Sequence, residues 1–130
     1  MGTGTGIGRV RGLGSAKHGA HHWINQRISA AANVLLLVWF LISLFKLPGF
    51  AYAEVVAWLA QPLVAVPMML MVANLFWHLR MGLQVVIEDY VHEEGTKFGT
   101  LLLLNFYAIG GAALGIFAIA KIAFTAGAAS

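Results

Sequence analysis

The second long apolar run of this sequence holds polar residues that are costly in lipid. It reads Trp77-His78-Leu79-Arg80-Met81-Gly82-Leu83-Gln84 and leaves through Glu88-Asp89-Tyr90. A lone imidazole inside a membrane needs a partner. Three kinds are open to His78: a metal or haem iron, a proton pathway, or a hydrogen bond to another helix. With Asp89 at the membrane surface, His78 lies 11 residues further in. That is roughly 16 Å at α-helical rise, about the bilayer midplane. Successive helical steps of about 100° bring His78, Gly82 and Asp89 close to one stripe. A glycine one turn beyond the imidazole would let a flat macrocycle lie against the helix. It would equally serve plain helix packing, with His78 bonded to a neighbour.

A second group precedes the first apolar run: His18, His21, His22, Trp23 and Arg27. The histidine spacings suit a metal ion, and the cationic groups suit carboxylates such as haem propionates. A basic membrane flank with an interfacial tryptophan explains the same residues. The third group is Asp89 and Tyr90 with Glu88 and His92. A tyrosine hydroxyl there could donate to a quinone carbonyl, with a carboxylate or imidazole beside it to orient it or carry protons. An aromatic-belt tyrosine next to a solvated acidic loop is the simpler alternative.

The elements that must position these groups follow from composition. Of 130 residues, 60% are hydrophobic and only 10% charged. A soluble domain carries about 25% charged residues, so much of this surface must face lipid. The spacing predicts three transmembrane helices, over about Ile28–Leu47, Leu63–Ile87 and Phe98–Phe124. Each is long enough to cross a hydrocarbon core of ~30 Å. Pro48 and Gly49 end the first, residues 48–60 form a connection, and Pro62 suits the first turn of the second. Pro67 lies within that second helix, where a kink is expected. Gly111 and Gly115 in the third form a GxxxG pair that permits close approach of helices. The fold class is therefore all-α and integral to the membrane. Residues 1–27 read as a cytoplasmic N-terminal tail and interfacial segment, and 28–130 as one three-helix membrane domain.

Basic residues set the orientation. Arg9, Arg11, Lys17, Arg27 and Lys97 fall on one side, Lys46 and Lys121 on the other. This bias places the N-terminus on the cytoplasmic side. Residues 1–25 lack an apolar centre followed by a small-residue cleavage site, so the first helix is expected to be retained rather than removed. The glycine-rich opening has no strand before it and no glycine–lysine–serine/threonine after it, which excludes a phosphate loop. No nucleic-acid motif accompanies the basic residues. The chain has no cysteine, which excludes disulfides, thiolate-held iron–sulfur clusters and a cysteine nucleophile within it.

Taken together, His78-x-x-x-Gly82-x-Gln84-x-x-x-x-Asp89-Tyr90-Val91 resembles the second-helix motif of the small hydrophobic anchor subunit of succinate dehydrogenase, respiratory complex II. His21-His22-Trp23-x-x-Gln26-Arg27-x-Ser29-Ala30 is similar to that family's entry into helix one. Order, spacing, span number and length agree, most closely with α-proteobacterial and mitochondrial members. The resemblance implies a membrane subunit of succinate:ubiquinone oxidoreductase that does no dicarboxylate chemistry itself. It implies three helices packed with a larger cytochrome b anchor subunit around a shared haem b. His78 would be one axial ligand, Arg27 and His21 would lie near the propionates, and Tyr90 with Asp89 would bind ubiquinone. FAD and iron–sulfur clusters would sit on a flavoprotein and an iron–sulfur subunit, and the complex in the bacterial inner membrane. No role for Arg80 follows, beyond snorkelling or pairing with a propionate or acidic group. Rival readings are a quinol:fumarate reductase anchor, a cofactor-free structural or assembly protein, and, with least support, a transporter fragment.

Overall fold

The computed structural model describes residues 18–128 together with residue 6. Among these, all regular structure is helical. Helix α1 spans Gly19–Phe45. It begins ahead of the apolar run, so His21, His22, Trp23 and Arg27 lie on the helix itself and not on a strand of chain before it. Nothing between Gly19 and Ile28 breaks a helix, and the alanines at 30–32 favour one. Its last turn is closed by the Lys46 and Leu47 N–H groups, which bond to the Ser43 and Leu44 carbonyls at 3.3 and 3.2 Å. Pro48 and Gly49 then prevent continuation.

The expected connection contains a helix of its own, α2, Tyr52–Ala60. Its start is fixed by Glu54, whose carboxylate accepts the Ala51 backbone N–H at 3.2 Å. That bond satisfies one of the donors that a helix start leaves free. At 9 residues, about 14 Å, α2 is too short to cross a bilayer. Trp58 on α2 meets Phe40 on α1, ring centroids 6.2 Å apart.

Helix α3 spans Pro62–Tyr90, with proline in its first turn and a helical path unbroken through Pro67. Helix α4 spans Glu94–Ala128. By length and composition, α1, α3 and α4 are each able to cross a membrane. They run up, down and up, with α3 central: it packs on α1 by one face and on α4 by the other, while α2 lies against α3 and α4. Val64, Ala65, Met81, Leu104, Ala108 and Ile119 make the buried core. Large apolar side chains such as Leu35, Phe45, Leu63, Leu114 and Phe124 point outward instead. A surface of this kind suits lipid or other apolar partners.

Two glycines set the α3–α4 distance. A Cβ at Gly111 would collide with the ring of Phe76, and one at Gly115 would lie 2.8 Å from Cγ1 of Val72. The GxxxG pair thus sits where the two helices approach.

Candidate functional site

The opposite face of α3 meets α1 through polar side chains. The Nδ2 amide of Asn74 donates to the Ser29 carbonyl and to Oδ1 of Asn33, both at 2.8 Å. One turn on, Nδ1 of His78 lies 2.9 Å from Oγ of Ser29. The antiparallel run of the two helices creates this ladder: positions 29 and 33 ascend α1 as 78 and 74 descend α3. Ser29 is the buried polar residue of the described chain, 4% exposed. Its hydroxyl also lies 3.0 Å from the Gln26 carbonyl, to which it donates. Buried polar groups require this degree of pairing.

His78 also lines a cavity of about 300 Å³ with Trp23, Gln26, Arg27 and Ala30 of α1. The Arg27 guanidinium is held 4.9 Å over the Trp23 ring, a cation–π contact that fixes a long side chain beside the cavity. Among the described residues, Nε2 of His78 makes no hydrogen bond. Beyond it on the same stripe, a Cβ at Gly82 would meet nothing within 4 Å. The glycine therefore leaves open surface beside the imidazole and is not used for packing within the chain. A ring nitrogen without a partner, an open flat strip and a cation at one end fit a planar iron macrocycle that carries carboxylates.

The other candidates are placed less closely. His21 is exposed on the first turn of α1 and does not line this cavity. Six residues before Arg27, it points about 120° away around the helix. Asp89 and Tyr90 form the exposed last turn of α3, Tyr90 being 79% exposed. Asp89 shares the His78 stripe, roughly 16 Å along it, and Tyr90 is turned about 100° further round. His18, His21 and His22 do not make a metal centre: among the described residues no three His, Cys, Asp or Glu side chains converge.

Arg80 takes a position that the sequence did not suggest. Two residues from His78, it faces the other way, towards α4. Its Nε donates to Oδ1 of Asn105 on α4, and its guanidinium lies 5.3 Å from the Trp77 ring centroid. These groups border a separate cavity of about 310 Å³ between α3 and α4, which Phe76 and Ala108 also line. Gln84 donates to Glu88 at 2.8 Å, a local pair on the surface of α3. Asn33, Asn74 and Asn105 were missed by motif reading. Each is an amide within an apolar run, and that cost alone marks it for pairing.

Residues 1–112 match the family described as Succinate dehydrogenase/Fumarate reductase transmembrane subunit. Among curated proteins, the chain is similar to the succinate dehydrogenase hydrophobic membrane anchor subunit of Rickettsia bellii, 36% identical over 79% of this chain and 82% of the relative. It is also similar to the protein of that name from Paracoccus denitrificans, 28% identical over 87% of each chain, and to that from Rickettsia conorii, 27% identical over 79% and 82%. No solved structure gives a significant match. The motifs on α1 and α3, the three-span layout and these matches agree: the chain belongs to the succinate dehydrogenase/fumarate reductase transmembrane subunit family.

Proposed function

We propose that this chain is the small membrane anchor of a succinate:ubiquinone oxidoreductase, and that it holds one side of a haem b. The observation that carries the reading is the Nε2 atom of His78. It has no hydrogen bond among the described residues, and its ring shares a cavity with Arg27. Haem b, when bound, supplies a one-electron redox centre within the membrane. The chain's own residues do the rest. His78 would hold the iron by a ring nitrogen, with a further ligand from a larger cytochrome b anchor subunit. Gly82 leaves room for the ring plane. Arg27, steadied on Trp23, would offer its N–H donors to propionates at the cytoplasmic end, with His21 on the first turn above. Charge-assisted contacts of this type are the strong ones.

At the end of α3, Tyr90 donates its hydroxyl hydrogen to a carbonyl of ubiquinone and Asp89 stands beside it. Both are exposed on the chain alone, so the pocket is completed by partners: the iron–sulfur subunit and the larger anchor. FAD and the iron–sulfur clusters belong to the soluble subunits, in keeping with a chain that has no cysteine. The N-terminus and the α3–α4 connection face the cytoplasm of a bacterial inner membrane.

The test uses the whole complex. His78→Ala is expected to abolish or alter the reduced-minus-oxidised haem b spectrum, and an unchanged spectrum and potential would refute the ligand. Tyr90→Phe is expected to slow ubiquinone reduction at least tenfold while dye-coupled succinate oxidation persists. Unaltered quinone kinetics would remove Tyr90 from the site.

A further inference from the structure

Ser29 has no assigned role, yet it is the buried polar residue of the described chain and touches the His78 ring. We propose that Ser29 is the positioning residue that sets the tautomer and the ring plane of His78, so that Nε2 and not Nδ1 faces the iron. The inference rests on the reading of His78 as an iron ligand and deepens it.

A serine hydroxyl has one hydrogen and two lone pairs. The Gln26 carbonyl, 3.0 Å from Oγ, can only accept, so it takes that hydrogen. What Oγ then presents to Nδ1 of His78 at 2.9 Å is a lone pair. Both contacts are satisfied at once only if Nδ1 carries the ring proton and donates it to Oγ. A neutral imidazole protonated at Nδ1 has its lone pair at Nε2, the form that coordinates a metal. A second bond to the ring nitrogen opposite the metal is the usual device for fixing such a ligand.

Ser29 is itself fixed. Asn74 lies one turn from His78 on α3, and its amide spends both hydrogens on α1, one on the Ser29 carbonyl and one on Asn33. Asn74 therefore anchors the backbone of Ser29 against the helix that bears the ligand. Rotation of the imidazole would break the bond to Oγ at a depth where no bulk water replaces it.

The Nδ1–H to Oγ bond also moves electron density into the ring and favours the ferric form of a bound iron. In the assembled complex, Ser29→Ala is expected to raise the haem midpoint potential and to shift or broaden the low-spin ferric EPR signal. Ser29→Thr, which restores a hydroxyl, is expected to return both to parental values. Parental potential and EPR in Ser29→Ala would overturn the proposal. If Ser29→Ala does not assemble, Ser29→Cys, with a weaker acceptor, is expected to lie above the parental potential. A parental value there overturns the proposal equally. His78→Ala separates the two levels. Loss of the haem signal in His78→Ala with no change in the Ser29 variants removes only Ser29. An unchanged haem in His78→Ala removes the ligand and Ser29 with it.

Discussion

On one side, helix α3 meets α1 through hydrogen bonds between Asn74, His78, Ser29 and Asn33. On the other it meets α4 through glycine, valine and an aromatic ring at close range, with Phe76 also 6.1 Å from Tyr107 between centroids, beside one polar contact from Arg80 to Asn105. In lipid the second kind of contact supplies association, because tails are as apolar as leucine and only close packing distinguishes protein from solvent. Each hydrogen bond across membrane helices adds about 0.6 kcal/mol on average. The polar ladder therefore does less to hold α1 in place than to fix its register, rotation and ring orientation. One helix carries a structural face and a chemical face, and neither is made from the residues of the other.

The α3–α4 face is disrupted most severely at Gly111. Gly111→Leu drives a side chain into Phe76, and overpacking of this kind costs about 1–3 kcal/mol. The assembled complex is expected to lose thermal stability and yield in detergent. Gly110→Ala, which faces open space, is the matched control and is expected to melt with the parent. Equal melting of the two variants would mean that the α3–α4 face is not the structural one. A smaller effect is expected from Asn74→Leu, about 1 kcal/mol in melting, because apolar packing remains. Its haem EPR signal should broaden clearly, as the backbone of Ser29 is no longer anchored to α3 by Asn74. A sharp parental EPR signal with a large fall in melting temperature would reverse the assignment of the two faces.

Much of this was legible in the sequence, for reasons that also explain what was not. Three apolar runs of bilayer length leave few alternatives, so α1, α3 and α4 could be placed from composition. Helix α2 escaped notice because a helix of 9 residues in an apolar connection has no length signal, and it is defined by the reach of Glu54 to Ala51. The stripe of His78, Gly82 and Asp89 followed from helical periodicity. The partner of His78 did not, because Ser29 is distant in sequence and only the antiparallel register brings it near. Arg80 shows the same limit. Its residue type left snorkelling, a propionate and an acidic group open, and Asn105 is visible as its partner only once α4 is docked.

The length of α4 has a further consequence. Lys97 and Lys121 lie 24 residues apart on it, about 36 Å at helical rise, somewhat more than the ~30 Å of an average hydrocarbon core. Lysine stems that reach for the headgroups tolerate this excess in a thick bilayer, and in a thinner one the helix leans over. The glycine contact makes α3 lean with it. Hydrophobic mismatch at one helix thereby becomes a change in the depth of His78 on another, so the thickness of the surrounding membrane is coupled to the height at which that imidazole sits.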